Sequence, residues 1–107
     1  MAELASRLGP AGADKLMSRA MEELAVQLAK AHRSFLRSNT NEMRAAAGKV
    51  ADVSDHIGMA SLSLVANHVI ELAKRDDSTA LAAVVARLTR IGEISLMQVW
   101  DLEDLSV

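Results

Sequence analysis

MSRAMEELAVQLAKAHRSF, residues 17–35, decides how the rest of the chain is read. Met17, Met21, Leu24, Leu28, Ala31 and Phe35 recur in alternating steps of four and three residues. That is the spacing of one helix face, since a strand would bring apolar residues back every second position. Arg19, Glu22, Glu23, Lys30 and Arg33 fall mostly off that seam, as a solvated face requires. The stretch therefore predicts an amphipathic helix with an a/d seam, built to lie against other helices. Asp14 is an N-cap candidate, and Ser38-Asn39-Thr40-Asn41 is a turn composition that ends the helix near Arg37. Upstream, Leu4 to Leu8 read as a short helical lead-in within residues 1–13, stopped by Gly9-Pro10 and Ala11-Gly12.

Three more stripes follow. Met43, Ala46 or Ala47, Val50, Val53 and Ile57 make the second, with Gly58 as a natural stop. Leu62, Val65, Ala66, Val69, Leu72 and Ala73 make the third, over roughly Ala60 to Arg75. Asp76-Asp77-Ser78-Thr79 is a turn in which Ser78 or a neighbouring Asp can cap the fourth helix. That helix carries Leu81, Val84, Val85, Leu88 and Ile91. It loses phase near Gly92, and apolar character resumes from Ile94 to Trp100 before an acidic tail over 100–107. No strand-like alternation between turn signals occurs. The expected fold is all-α: one domain over residues 1–107, an antiparallel up-down-up-down four-helix bundle with the short N-terminal lead-in.

Composition agrees with helices and removes several kinds of chemistry. Half of the 107 residues are apolar but only 2 % are aromatic, so the core must be Ala, Leu, Val, Ile and Met. With no Cys there is no disulfide, thiolate nucleophile or Cys-ligated zinc. The net charge is −2 with both signs interspersed, which gives no electrostatic footprint for nucleic acid. The longest weakly charged run, Ile57 to Ile70, is too short for a membrane span, and MAELASRLGPAGADK lacks the order of a signal peptide. These features predict a soluble, cytoplasmic chain with neither nucleic acid nor membrane among its partners.

Three histidines are the candidates for chemistry near neutral pH. His32 lies on a helix flank beside Arg33. His68 stands with Asn67, Glu71 and Arg75, without a second histidine at i+4 to suggest a metal site. His56 shares a face with Lys49, Asp52 and Asp55, where an exposed group could react, although a cation near a helix C-terminus is also favourable for plain stability. There is no Gly-rich phosphate loop, nucleophile elbow or shielded carboxylate pair. The six Met residues sit mostly at seam spacing. No enzyme activity, cofactor or metal is expected on these grounds.

The pattern over residues 20–95 resembles the histidine-phosphotransfer (HPt) family, the four-helix bundles of bacterial phosphorelays. That family carries its phosphoacceptor on the second bundle helix in a motif like A-H-x-x-K-G-S-A. Met43-Arg44-Ala45-Ala46-Ala47 looks like the approach to that motif, Ile57-Gly58-Met59 like the pair that ends the helix, and Arg75-Asp76-Asp77-Ser78 like the turn before the fourth helix. Aligned on Gly58 and Asp77, the chain has Gly48 in place of the phosphoacceptor His, Ala51 in place of the Lys, Asp52 in place of the Gly and Val53 in place of the Ser. The resemblance thus implies a degenerate member: a non-catalytic adaptor binding a histidine kinase, receiver or chemotaxis protein through Arg44, Ala45, Gly48, Lys49, Asp52, Asp55 and His56. Two alternatives stand beside it. One is genuine phosphotransfer through His56, about two turns past the aligned position. The other is a self-associating structural bundle, a homodimer through the seam from Met17 to Phe35. In VWDLEDL, Trp100, Leu102 and Leu105 would form either a helical docking tail or a cap over the open end of the bundle.

Overall fold

The computed structural model describes residues 2–75 and 77–105, with side chains over 15–75 and 77–98. Four helices account for nearly all of it: α1 (Ala2–Leu36), α2 (Thr40–His56), α3 (Ala60–Ala73) and α4 (Ser78–Leu105). Among the described residues there is no strand.

Each turn is set by local chemistry. After α1, Ser38 takes a left-handed φ of 58° and the Asn39 amide donates back to the Ser34 carbonyl at 2.8 Å. Asn39 then caps α2. Its side-chain oxygen accepts from the Glu42 amide at 3.2 Å, while its own amide donates to the Glu42 carboxylate at 3.0 Å. After α2, Gly58 is left-handed at φ 75° and the Met59 amide donates to the Ser54 carbonyl at 2.8 Å. Met59 caps α3 without a side-chain hydrogen bond. Before α4, the Asp77 carboxylate accepts from the Ala80 amide at 3.0 Å.

The stripes converge on one core. Met17, Met21, Leu24 and Leu28 of α1 meet Met43, Ala47 and Val50 of α2, Leu62, Val65 and Val69 of α3, and Val85, Leu88 and Leu96 of α4. Helices pack as neighbours in a closed ring, α1 on α2, α2 on α3, α3 on α4 and α4 on α1, and among the described residues neither diagonal pair brings its backbones as close. Full burial of a side chain of this size contributes roughly 1.5–3 kcal/mol. The seam of α1 is therefore spent inside the bundle. Met21 and Leu24 are 2 % and 1 % exposed, while Phe35 at the end of the seam is half-buried.

One expectation about helix interruption gives way. The helix does not stop at Gly9-Pro10: α1 runs unbroken from Ala2, and the lead-in is its first part rather than a separate element. A proline removes one hydrogen bond and bends a helix, but it does not have to end one that already continues on both sides. α4 runs through Gly92, where the apolar stripe loses phase. There the glycine is buried and its missing side chain is the fit, because a Cβ would lie 2.5 Å from Leu28 Cδ1. The acidic end likewise continues α4 as far as Leu105. The side chains of Trp100, Leu102 and Leu105, expected to form a docking tail, lie outside the described residues. Among the described residues no helix is long and apolar enough to cross a membrane.

Candidate functional site

α2 has two faces of opposite character, fixed by its period. Met43, Ala46, Ala47, Val50, Ala51 and Ser54 are buried against α1 and α3. The face turned outward carries Ala45, Lys49, Asp52, Asp55 and His56, all exposed, with Arg44 and Gly48 half-buried among them. Every α2 residue nominated from the sequence as a binding residue thus lies on one helix face. The turns at Ser38 and Gly58 hold that helix at both ends.

The middle of the face is shallow. Nothing lies within 4 Å of where a Gly48 side chain would begin, and Ala45 is one turn away. A partner's backbone can approach closely there, because the helix presents no long side chain at those two positions. Gly48 has no atom able to accept a phosphoryl group. Ala51, aligned with the family's lysine, is 5 % exposed, and its side chain belongs to the core rather than to the face. Asp52, one turn after Gly48, is exposed and places a negative charge on the same face.

His56 is the last residue of α2. Its Nδ1 lies 2.9 Å from the backbone carbonyl oxygen of Asp52. A carbonyl only accepts, so Nδ1 carries the proton, and in the neutral ring Nε2 is the nitrogen with a free lone pair. The ring borders a groove of about 360 Å³ between α1 and α2, lined by Leu16, Arg19, Ala20, Val53 and Ile57. The sequence does not show Arg19 and Leu16 as neighbours of His56, because they approach it across a helix pair and no local spacing carries that information. His56 is exposed, and among the described residues no buried charge surrounds it.

The other two histidines stand apart. His32 borders a groove of about 310 Å³ between α1 and α4, beside Arg33, Thr89 and Glu93. His68 lies on the outer side of α3 near Glu71 and Arg75. The polar cluster of Asn67, His68 and Glu71 does not form: the Asn67 amide donates to the Ser63 carbonyl and Glu71 pairs with Lys74 at 3.3 Å. Among the described residues no group of three His, Asp or Glu side chains is arranged to hold a metal ion. Comparison of the chain with protein-family models, with curated proteins and with solved structures gave no match.

Proposed function

We propose that this chain is a non-catalytic HPt-like adaptor in a bacterial two-component or chemotaxis pathway. It binds a histidine kinase, a receiver domain or a related partner through the outward face of α2. The observation that carries this reading is Gly48. The aligned phosphoacceptor position lies on an open, shallow stretch of that face and holds a residue with no side chain. Such a surface is suited to close approach and has no nucleophile at its centre. The reading includes an antiparallel up-down-up-down order of the helices, supported by short turns and a ring of neighbour contacts. It also includes a cytoplasmic setting, where such partners reside. The test is titration of the full chain against the isolated kinases and receivers of its host. Binding to at least one, weakened tenfold or more by Gly48→Arg, is the expected result. Failure to bind any of them overturns the reading.

A second reading has an observation of its own. Nδ1 of His56 is committed to the Asp52 carbonyl, so an exposed Nε2 is left as a nucleophile. Phosphotransfer through His56 would give acid-labile, base-stable label from a phosphorylated receiver, lost in His56→Gln. A chain that takes no label under those conditions eliminates it.

A further inference from the structure

The outward face of α2 is divided by charge. Its N-terminal half carries Arg44 and Lys49, and its C-terminal half carries Asp52 and Asp55. The described ion pairs are Arg37 with Glu42 and Glu71 with Lys74, so none of these four charges is paired with a described residue. Ala45 and Gly48 lie between the two cations and keep that half of the face low.

We propose that this face pairs with the same face of a second copy of the chain, the two α2 helices running antiparallel across a two-fold axis. A symmetric interface requires a self-complementary surface, and a helix whose two halves bear opposite charge supplies one. The register follows from helix rise. With the crossing at the level of Val50, Arg44 lies about 9 Å to one side and Asp55 about 7.5 Å to the other, at 1.5 Å per residue. Lys49 and Asp52 lie about 1.5 and 3 Å from the crossing on opposite sides. The two-fold axis therefore sets Arg44 of each copy against Asp55 of the other, and Lys49 against Asp52, making four opposite-charge pairs, against one like-charge approach where the two Lys49 residues flank the axis about 3 Å apart along the helices. A parallel pairing would set like charge on like charge, which fixes the orientation. Ala45 and Gly48 let the axes approach toward the short end of the usual interhelical range.

One helix face per partner makes an interface at the low end of specific association, below roughly 1,200 Å² in total. Exposed pairs are individually weak and screened by salt, so the dimer is weak and loosens as ionic strength rises. It occupies the face assigned above to a signalling partner, and the two associations exclude one another. The pairing itself does not rest on that assignment.

The test uses the full chain alone, by sedimentation equilibrium over a concentration series at low and high salt. The unmodified chain dimerises at low salt, with an association constant that falls about tenfold or more at high salt. Lys49→Glu and Asp52→Lys each reduce it at least tenfold, because each places like charges together twice. An equimolar mixture of the two variants restores association, since both 49–52 pairs are then opposite again, and so does the double variant. A chain that stays monomeric at every concentration overturns the proposal, as does dimerisation insensitive to the single substitutions or unrestored in the mixture. Restoration by mixing also shows that both variants are folded. Failure of this dimer leaves the adaptor reading intact, because binding to kinases and receivers is measured separately.

Discussion

The turns at the two ends of α2 share a backbone and differ in side chains. Ser34 to Asn39 and Ser54 to Met59 both begin on a serine with no exposed surface and place a left-handed residue fifth. Both close with an amide-to-carbonyl bond of 2.8 Å spanning the six residues. The fifth residue is Ser38 in one and Gly58 in the other. The sixth is Asn39, which caps α2 with its side chain, against Met59, which caps α3 with none. The first turn accepts strain at Ser38 and is held by polar bonds. The second avoids strain with glycine and is held by burial, since Met59 and Ile57 both join the core. The same fold of the chain can thus be secured in two ways, and substitutions can tell them apart.

The largest effect is expected at Glu42. One oxygen of its carboxylate receives Asn39 Nδ2 at 3.0 Å, Arg37 Nη2 at 3.3 Å and the buried Ser34 hydroxyl at 3.4 Å. Glu42→Ala removes all three acceptor contacts and leaves the Ser34 hydroxyl without its partner. Loss of a buried hydroxyl's partner costs about 1–3 kcal/mol, and the exposed Arg37 pair adds little. Urea unfolding should show a loss of about 2 kcal/mol, with Ser34→Ala/Glu42→Ala recovering part of it. A loss under about 0.5 kcal/mol would mean that the polar network does not hold the first turn.

Next comes Gly58→Ala. The left-handed region costs an L-residue roughly 1–2 kcal/mol. Space is not the issue, because nothing lies within 4 Å of the new Cβ. Thermal or urea unfolding should show a loss of about 1–1.5 kcal/mol. The reciprocal change, Ser38→Gly, should stabilise by about 0.5 kcal/mol. It relieves the same strain, and the greater freedom of glycine in the unfolded chain offsets part of the gain. If the two substitutions shift stability in the same direction, strain is not what separates the turns.

Much of this was legible from residue types and spacing. The a/d seam from Met17 to Phe35, the stripes of α2 and α3, the stop at Gly58 and the turn around Asn39 all follow from local period and turn chemistry, where backbone geometry leaves few choices. What local rules misjudged were residues whose role depends on another element. Gly92 reads as a lapse in the α4 stripe because its partner, the Leu28 side chain, comes from α1. Gly9-Pro10 reads as a stop because helix propensity penalises both residues, yet propensity is a weak prior for a helix that continues on either side. At the candidate site, the nominated residues of α2 share one face because helical period put them there. Arg19 and Leu16 beside His56 were invisible for the same reason as Leu28 beside Gly92. The sign pattern from Arg44 to Asp55 is plain in the sequence, but its meaning depends on the whole face being outward and unpaired.

The smallest effect sharpens the comparison most. Met59→Ser would give α3 the side-chain cap that α2 has in Asn39, a gain of about 1 kcal/mol at a free helix N-terminus. It would also withdraw a half-buried thioether packed on the core. Partial burial of such a side chain contributes about 1 kcal/mol, less than the 1.5–3 kcal/mol of a fully buried one. The two terms oppose, and the net change in unfolding free energy should lie within about 0.5 kcal/mol of zero. A gain of 1 kcal/mol would show that Met59 contributes no packing and that the second turn only lacks a cap. A loss of that size would show that burial alone secures the turn and that α3 takes nothing from a hydroxyl at its start. A near-zero result in the single variant has a further test in Met59→Ala, which removes the packing without supplying the cap. It should lose about 1 kcal/mol, separating the two contributions that cancel in the serine variant.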